Sequence, residues 1–269
     1  MWKWEAEGQA KAVVVILHSA FEHHQWYAWL IEKLRTAGFT IVMGDFPGHG
    51  KNSTFAKIHD EDVNDYSDFI KKLMQNALLY QLPVFILGHG LGATLAINFL
   101  KKNKVECAGL ILTSPWLSLK KTTNLFTNAM TSLGSLASNK KISLKFDKTM
   151  LTRNNEGYQE LADENSPYHT NVTVGWYKDV QNLMKSIISE QENQLTLPIL
   201  LIGAKQDKIT EPSVGRKWLV NQNSTEIQYK EWPYSYHNLF HDNEREEVFI
   251  YSKDFMNNVL RSLGYIIEQ

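Results

Sequence analysis

The chain has 269 residues, enough for one large domain or two small ones. Hydrophobic residues make up 43% and charged residues 21%, with a formal net charge of −1. That is an ordinary soluble globular balance, and it gives no sign of nucleic acid or a strongly anionic surface as partner. The single cysteine, Cys107, excludes a disulfide framework. No apolar run approaches the roughly 18 residues of a membrane span. The first one, Ala12 to Leu17, is too short for a signal peptide and is preceded by Glu5, Glu7 and Lys11. The expected location is the cytoplasm.

Trp2 to Glu7 alternates large and polar residues and reads as a short edge strand. Ala12 to Leu17 is continuous and rich in β-branched residues, so a buried strand, ending at His18-Ser19-Ala20. Trp26 to Leu34 has helical spacing, and Gly38 follows its end. Thr40 to Met43 is the next strand, running into the turn-rich loop Asp45-Phe46-Pro47-Gly48-His49-Gly50-Lys51-Asn52-Ser53. Val63, Tyr66, Phe69, Ile70, Leu73, Met74, Ala77 and Leu78 form one helix face. Pro83 to Leu87 is a fourth strand, Thr94 to Lys102 a helix, and Gly109 to Thr113 a fifth strand. Alternating strands and helices imply a mostly parallel sheet with helices on both faces, an α/β fold.

The alternation breaks from Trp116 to Gln194, where no strand is evident. Leu125, Met130, Leu133, Leu136, Ile142, Leu144, Phe146 and Met150 are scattered there among Ser, Asn and Lys, and Val174 to Ile188 reads as a helix. The expected organisation is a core of 1–115 and 195–269 with a helical insertion at 116–194. Strands resume at Leu197 to Gly203 and at Glu226 to Lys230. The loops after them carry Asp207 and His237, and a closing helix buries Val248, Tyr251, Phe255, Val259 and Leu263.

Leu87-Gly88-His89-Gly90-Leu91-Gly92-Ala93-Thr94 joins a strand to a helix. That is the setting of the nucleophile elbow G-x-S-x-G, whose glycines allow a sharp turn and close helix–strand packing. The central residue should be an attacking serine; here it is Gly90, which has no side chain. The same stretch satisfies the dinucleotide fingerprint G-x-G-x-x-G/A. That motif belongs to a first βα turn with an acid about 20 residues on, and the next strand here ends in Leu112-Thr113-Ser114-Pro115 with no acid. A nucleotide site is therefore disfavoured.

In an open parallel sheet, sites form at the carboxyl ends of strands. The elbow, Asp207 and His237 occupy three such ends, in the chain order nucleophile, acid, histidine of an α/β-hydrolase triad. In such a set His237 would take the nucleophile's proton, and Asp207 would fix its tautomer and stabilise its charged form. The oxyanion hole would take the N–H of Leu91 and one from the loop His18-Ser19-Ala20, for which Ala20 is the candidate. Taken singly, a loop Asp is usually a turn former and a loop His usually polar surface; only their joint placement points to chemistry.

The chain resembles the monoacylglycerol lipase and lysophospholipase branch of the α/β-hydrolases, the serine aminopeptidase-like hydrolases. His18-Ser19-Ala20-Phe21-Glu22-His23 resembles that family's H-G-x-x-E-H. Asp45 to Asn52 resembles D-x-x-G-H-G-x-S, and Gly88 to Gly92 resembles G-H-S-M-G. Gln206-Asp207-Lys208-Ile209 and Tyr236-His237-Asn238-Leu239-Phe240 resemble the acid and histidine segments, and Glu244 to Val248 the helix after the histidine. The resemblance implies an α/β-hydrolase fold with the insertion as a lid over an acyl pocket. It implies a small apolar or acyl-ester ligand such as a monoacylglycerol or lysophospholipid, no cofactor, no metal, and transient contact of the lid with a membrane surface. Oligomeric state is not fixed by the sequence.

Three departures matter. Asn52 stands for a serine, Ser19 for the first-loop glycine, and Gly90 for the nucleophile. Loss of the serine costs other triad enzymes about 10⁶ in kcat, while roughly 10³–10⁴ over water survives from binding and the oxyanion hole. Substitutes are poor on sequence grounds: Ser114 has no elbow to aim it, Ser19 is expected to face away, and Cys107 lies at the wrong end of its strand. His18, His23, His24, His49 and His89 lack a carboxylate or cysteine set at metal spacing. Three readings stay open: an acyl-ester hydrolase scaffold lacking its nucleophile at Gly90, a non-catalytic binder of an apolar ligand, and a water activated by His237. Retention of Asp207 and His237 argues against pure binding.

Overall fold

The structure, a computed structural model, describes residues 1–50, 58–120, 138–160, 170–190 and 192–267. Lys51, Asn52 and Ser53, together with Leu125, Met130, Leu133 and Leu136 of the insertion, lie outside the described residues.

Seven strands form one sheet: β1 (Trp2–Trp4), β2 (Ala12–Leu17), β3 (Phe39–Met43), β4 (Val84–His89), β5 (Gly109–Thr113), β8 (Ile199–Ala204) and β9 (Ile227–Trp232). Their spatial order is β1-β3-β2-β4-β5-β8-β9. Only β1, on the edge, runs antiparallel; every other neighbouring pair is parallel. The central strands are buried throughout their length, which is why they read as unbroken apolar runs. The crossover direction reverses between β2 and β4, and the crevice beyond their carboxyl ends is where such a sheet binds ligands.

The helices of the core are α1 (Ala28–Thr36), preceded by a 3-10 turn over His24–Tyr27, α2 (Val63–Leu78), α3 (Gly90–Lys102), α6 (Pro212–Val220) and α7 (Arg245–Ser262). Asp62 caps α2 through a reciprocal pair of bonds with Asp65, and the helix buries Tyr66, Ile70, Leu73, Met74 and Ala77. Helix α3 begins at Gly90 itself, four residues before the apolar spacing announces it, because glycines hide the first turn from a hydrophobicity pattern. Helix α6 has no counterpart in the sequence reading, although Pro212 stands in its first turn, where proline favours a helix start.

Between β5 and β8 the described residues hold α4 (Asn155–Glu160), α5 (Val174–Ser189) and, against expectation, a two-stranded antiparallel ribbon. The ribbon pairs β6 (Lys141–Ser143) with β7 (Asn171–Thr173). Three residues per strand are too few to print a period-2 pattern. Trp176 of α5 donates its indole N–H to the Tyr66 hydroxyl at 2.9 Å, which ties this region to α2. Among the described residues no helix is long and apolar enough to cross a membrane.

Candidate active site

Strand β4 and helix α3 meet almost without side chains between them. A Cβ at Gly88 would stand 2.6 Å from Ala93 Cα, and one at Gly92 would stand 2.3 Å from Leu17 O. Gly90 lies between them at φ +52°, a left-handed turn that glycine adopts freely. Its carbonyl accepts bonds from Trp116 N at 3.1 Å and from the Thr94 hydroxyl at 3.2 Å. Thr94 also donates to Trp116 O at 2.8 Å, so the residues after β5 are fastened to the elbow.

The loops after β8 and β9 bring Asp207 and His237 to the same crevice. Both are buried. Asp207 Oδ1 accepts from the N–H groups of Ile209 (2.7 Å) and Thr210 (2.9 Å), and Oδ2 from the Thr210 hydroxyl (2.5 Å) and His237 Nδ1 (2.8 Å). Burial opposes the charge on this carboxyl, but the His237 imidazole and these donors outweigh it and hold its pKa below the ordinary value. With Nδ1–H donated to Asp207, Nε2 of His237 is left as an acceptor. That lone pair receives the indole N–H of Trp116 at 3.3 Å. Ser114, at φ +43°, donates its hydroxyl to His237 O at 2.8 Å.

Trp116 links the histidine to the elbow. The same Nε1 would lie 3.2 Å from a Cβ built at Gly90. Gly90, Leu91, Asp207 and His237 therefore share one site, and the loop that begins at His18 closes it from the β2 side. Ser19 points into the site rather than away from it. Its Oγ lies 2.1 Å from where a Cβ at position 90 would be, and it accepts the Leu91 N–H at 3.1 Å. This differs from the expectation that Ser19 faces away: with glycine at position 90, the serine hydroxyl has both room and a donor. Ala20, the second oxyanion candidate, is the next residue in that loop and is buried.

Glu22 braces the loop. Its Oε2 accepts from Ser19 N (2.9 Å) and the Tyr27 hydroxyl (2.6 Å), and its Oε1 from Asn238 Nδ2 (3.0 Å), with His89 Nε2 at 3.6 Å. Burial pushes this carboxyl up to about 7 despite those donors. The histidines that invite a metal reading are engaged in the loops. His18 bridges Ser19 O and Phe46 N, His24 meets Asp45 Oδ1, His49 meets Pro47 O, and His89 meets Thr113. Cys107 lies outside the site, ahead of β5, and burial pushes its thiol up to about 12. The Ser19–Gly90 packing, between residues 19 and 90, and the contact of Trp116 with His237 escaped the sequence reading, since no local spacing rule reaches that far along the chain.

A seven-stranded, mostly parallel sheet with a glycine elbow after β4 and site loops after β8 and β9 defines an α/β-hydrolase. The monoacylglycerol lipase of Paleococcus ferrophilus superposes with a TM-score of 0.83 at 23% identity, over 96% of this chain and 98% of that one. A soluble variant of the Saccharomyces cerevisiae monoglyceride lipase, bound to a substrate analog, gives 0.85 at 18% identity, over 96% and 90%. The serine aminopeptidase S33 family model matches residues 8–244. The phospholipase YtpA of Bacillus subtilis is 35% identical over 263 residues, covering 97% of this chain and all of that one. The rat monoglyceride lipase is 25% identical over 88% of this chain and 78% of its own. The chain belongs to the serine aminopeptidase S33 family of α/β-hydrolases, with lipases and phospholipases among its relatives.

Proposed function

We propose that the protein acts on carboxylic esters of apolar acyl chains, of the acylglycerol or lysophospholipid class, at the His237–Asp207 site. The observation that carries this is the intact base. Asp207 orients His237 through a 2.8 Å bond to Nδ1, and Nε2 is held as an acceptor beside position 90. A binder has no use for an oriented, buried base. Leu91 and Ala20 are the proposed oxyanion donors, and residues 116–194 the lid over a core of 1–115 and 195–269. A contact of the insertion with the histidine loop supports that role: Leu151 O accepts Asn238 N at 2.8 Å. Within the insertion, Phe146 packs against Trp116, whose indole meets His237, with ring centroids 5.8 Å apart. No cofactor enters this reading. Gly90 supplies no nucleophile, so the route through position 90 is closed in the chain as it stands.

A second reading, an acyl-ligand binder, is favoured by one observation: the Ser19 hydroxyl rests on an oxyanion donor and the Trp116 indole on the base. The discriminating experiment exchanges the two residues. The S19G/G90S variant should hydrolyse p-nitrophenyl acyl esters and monoacylglycerol at least about 10³-fold faster than its H237A derivative, the scale on which triad members act. A folded exchange variant that binds fatty acid and shows no His237-dependent turnover would leave the binder reading standing instead.

A further inference from the structure

We infer that the nucleophilic hydroxyl has moved across the site, from position 90 to Ser19. This deepens the hydrolase reading and rests on it. A Cβ at position 90 would come within 2.1 Å of Ser19 Oγ and 2.7 Å of Ser19 Cβ, so the serine side chain fills the volume that a residue at 90 would need. Two side chains cannot share that volume, and the chain places its one hydroxyl there from the other wall.

The backbone on both sides of the Ser19 side chain is anchored. It is 2% exposed, its N–H donates to Glu22 Oε2 at 2.9 Å, and its carbonyl lies 2.7 Å from His18 Nδ1, so the loop is fixed on both sides of the side chain. Its Oγ accepts the Leu91 N–H at 3.1 Å. A backbone donor on a hydroxyl oxygen stabilises the alkoxide that forms as the proton leaves. Ser114, the other serine at the rim, has its hydroxyl committed to His237 O at 2.8 Å.

The step balances without a further reactant. An acyl group entering the site displaces the Trp116 indole from His237 Nε2. Ser19 Oγ then bonds to the ester carbonyl carbon as its proton passes to Nε2. Negative charge gathers on the carbonyl oxygen, which takes over the Leu91 N–H as Ser19 Oγ becomes an ester oxygen and a poorer acceptor. The bond to the alcohol oxygen breaks, and that oxygen takes the proton from His237. A water then attacks the Ser19 ester through the same base, releasing the acid and the free serine.

The test is an alkyl fluorophosphonate, which forms a bond from serine Oγ to phosphorus, expelling fluoride. Incubated with the unmodified protein and mapped by mass spectrometry, it should modify Ser19 in the peptide covering 12–33. The adduct should vanish in S19A and form at least tenfold more slowly in H237A, with circular dichroism confirming that both variants fold. W116F, which frees Nε2, should accelerate it. An unmodified Ser19, with the S19G/G90S variant labelled at position 90, overturns the migration and leaves the hydrolase reading intact. An adduct on any other serine also overturns it. No adduct on either protein removes both.

Discussion

At the residue scale the decisive fact is that positions 19 and 90 are sterically one position. Restoring only the serine, G90S, drives a Cβ to within 2.1 Å of Ser19 Oγ and puts a side chain at φ +52°. Overpacking and left-handed strain each cost about 1–3 kcal/mol. G90S should therefore unfold at lower urea than the unmodified chain and gain little activity. S19G/G90S should recover the overpacking part of that loss and keep the strain at residue 90, a coupling of about 1–3 kcal/mol in a double-mutant cycle. Additive stabilities would show that the two residues do not compete for space. On the same scale, D207N in the exchange variant should lower kcat about 10⁴-fold with little change in KM, because the imidazole would lose the partner that fixes its tautomer. An unchanged kcat would mean another group orients His237. These residues divide sharply in how well the sequence announces them. Asp207 and His237 are legible because each follows a strand and the chain order is fixed by topology. Trp116 is not, because its contact with His237 Nε2 comes from a turn after β5 that fastens to Gly90 O, and nothing local marks that.

At the element scale, the β4–α3 junction sets how closely helix α3 and the loop after β2 can approach. The glycines at 88 and 92 are what let α3 sit on the ends of β2 and β4. G92A would thrust a methyl to 2.3 Å from Leu17 O and 2.4 Å from His18 O, both backbone atoms that cannot swing away. It should cost at least about 1–3 kcal/mol, seen as a drop in Tm, and should also displace the 18–23 loop from the Leu91 N–H. By contrast, G8A should change Tm by no more than about the strain of its φ of +78°, since nothing lies within 4 Å of a Cβ there. Equal losses at the two positions would show that close packing is not what residue 92 provides. The long buried strands and α2 could be read directly from the sequence, since their burial is one-sided or complete over five residues or more. The β6–β7 ribbon and α6 could not. The first is too short to show alternation, and the second carries only Gly215, Trp218 and Leu219 on its buried face.

At the scale of the whole molecule, the site is built around buried imidazoles that must stay neutral, and this sets its response to acid. Burial lowers His18 to about 4 from 6.5 and pulls His49 and His89 well below 6.5. Each of these groups binds fewer protons folded than unfolded between its folded pKa and 6.5. Stability therefore rises with pH across that window, by about 3 kcal/mol for His18. Glu22 acts in the opposite sense. Its carboxyl is raised from 4.5 to about 7, so the folded chain binds more protons between those values and loses a similar amount as pH rises. Over most of pH 4.5 to 6.5 His18 and Glu22 nearly offset, and His49 and His89 decide the slope. Below that, Asp207, whose pKa is lowered, gives up its contribution as it protonates beside His237. Urea unfolding should accordingly show stability climbing from pH 4 to a maximum near pH 6.5 and slipping slightly towards pH 7.5 as Glu22 ionises. An H89N variant, keeping a polar group beside Thr113 Oγ1 without a titrating ring, should flatten the climb while leaving the later decline in place. A stability curve that is level from pH 4 to 6.5 in the unmodified chain would mean that the imidazoles around the elbow carry protons in the folded state. The hydrogen bonds that order the 18–23 loop about Ser19 would then have to be drawn differently.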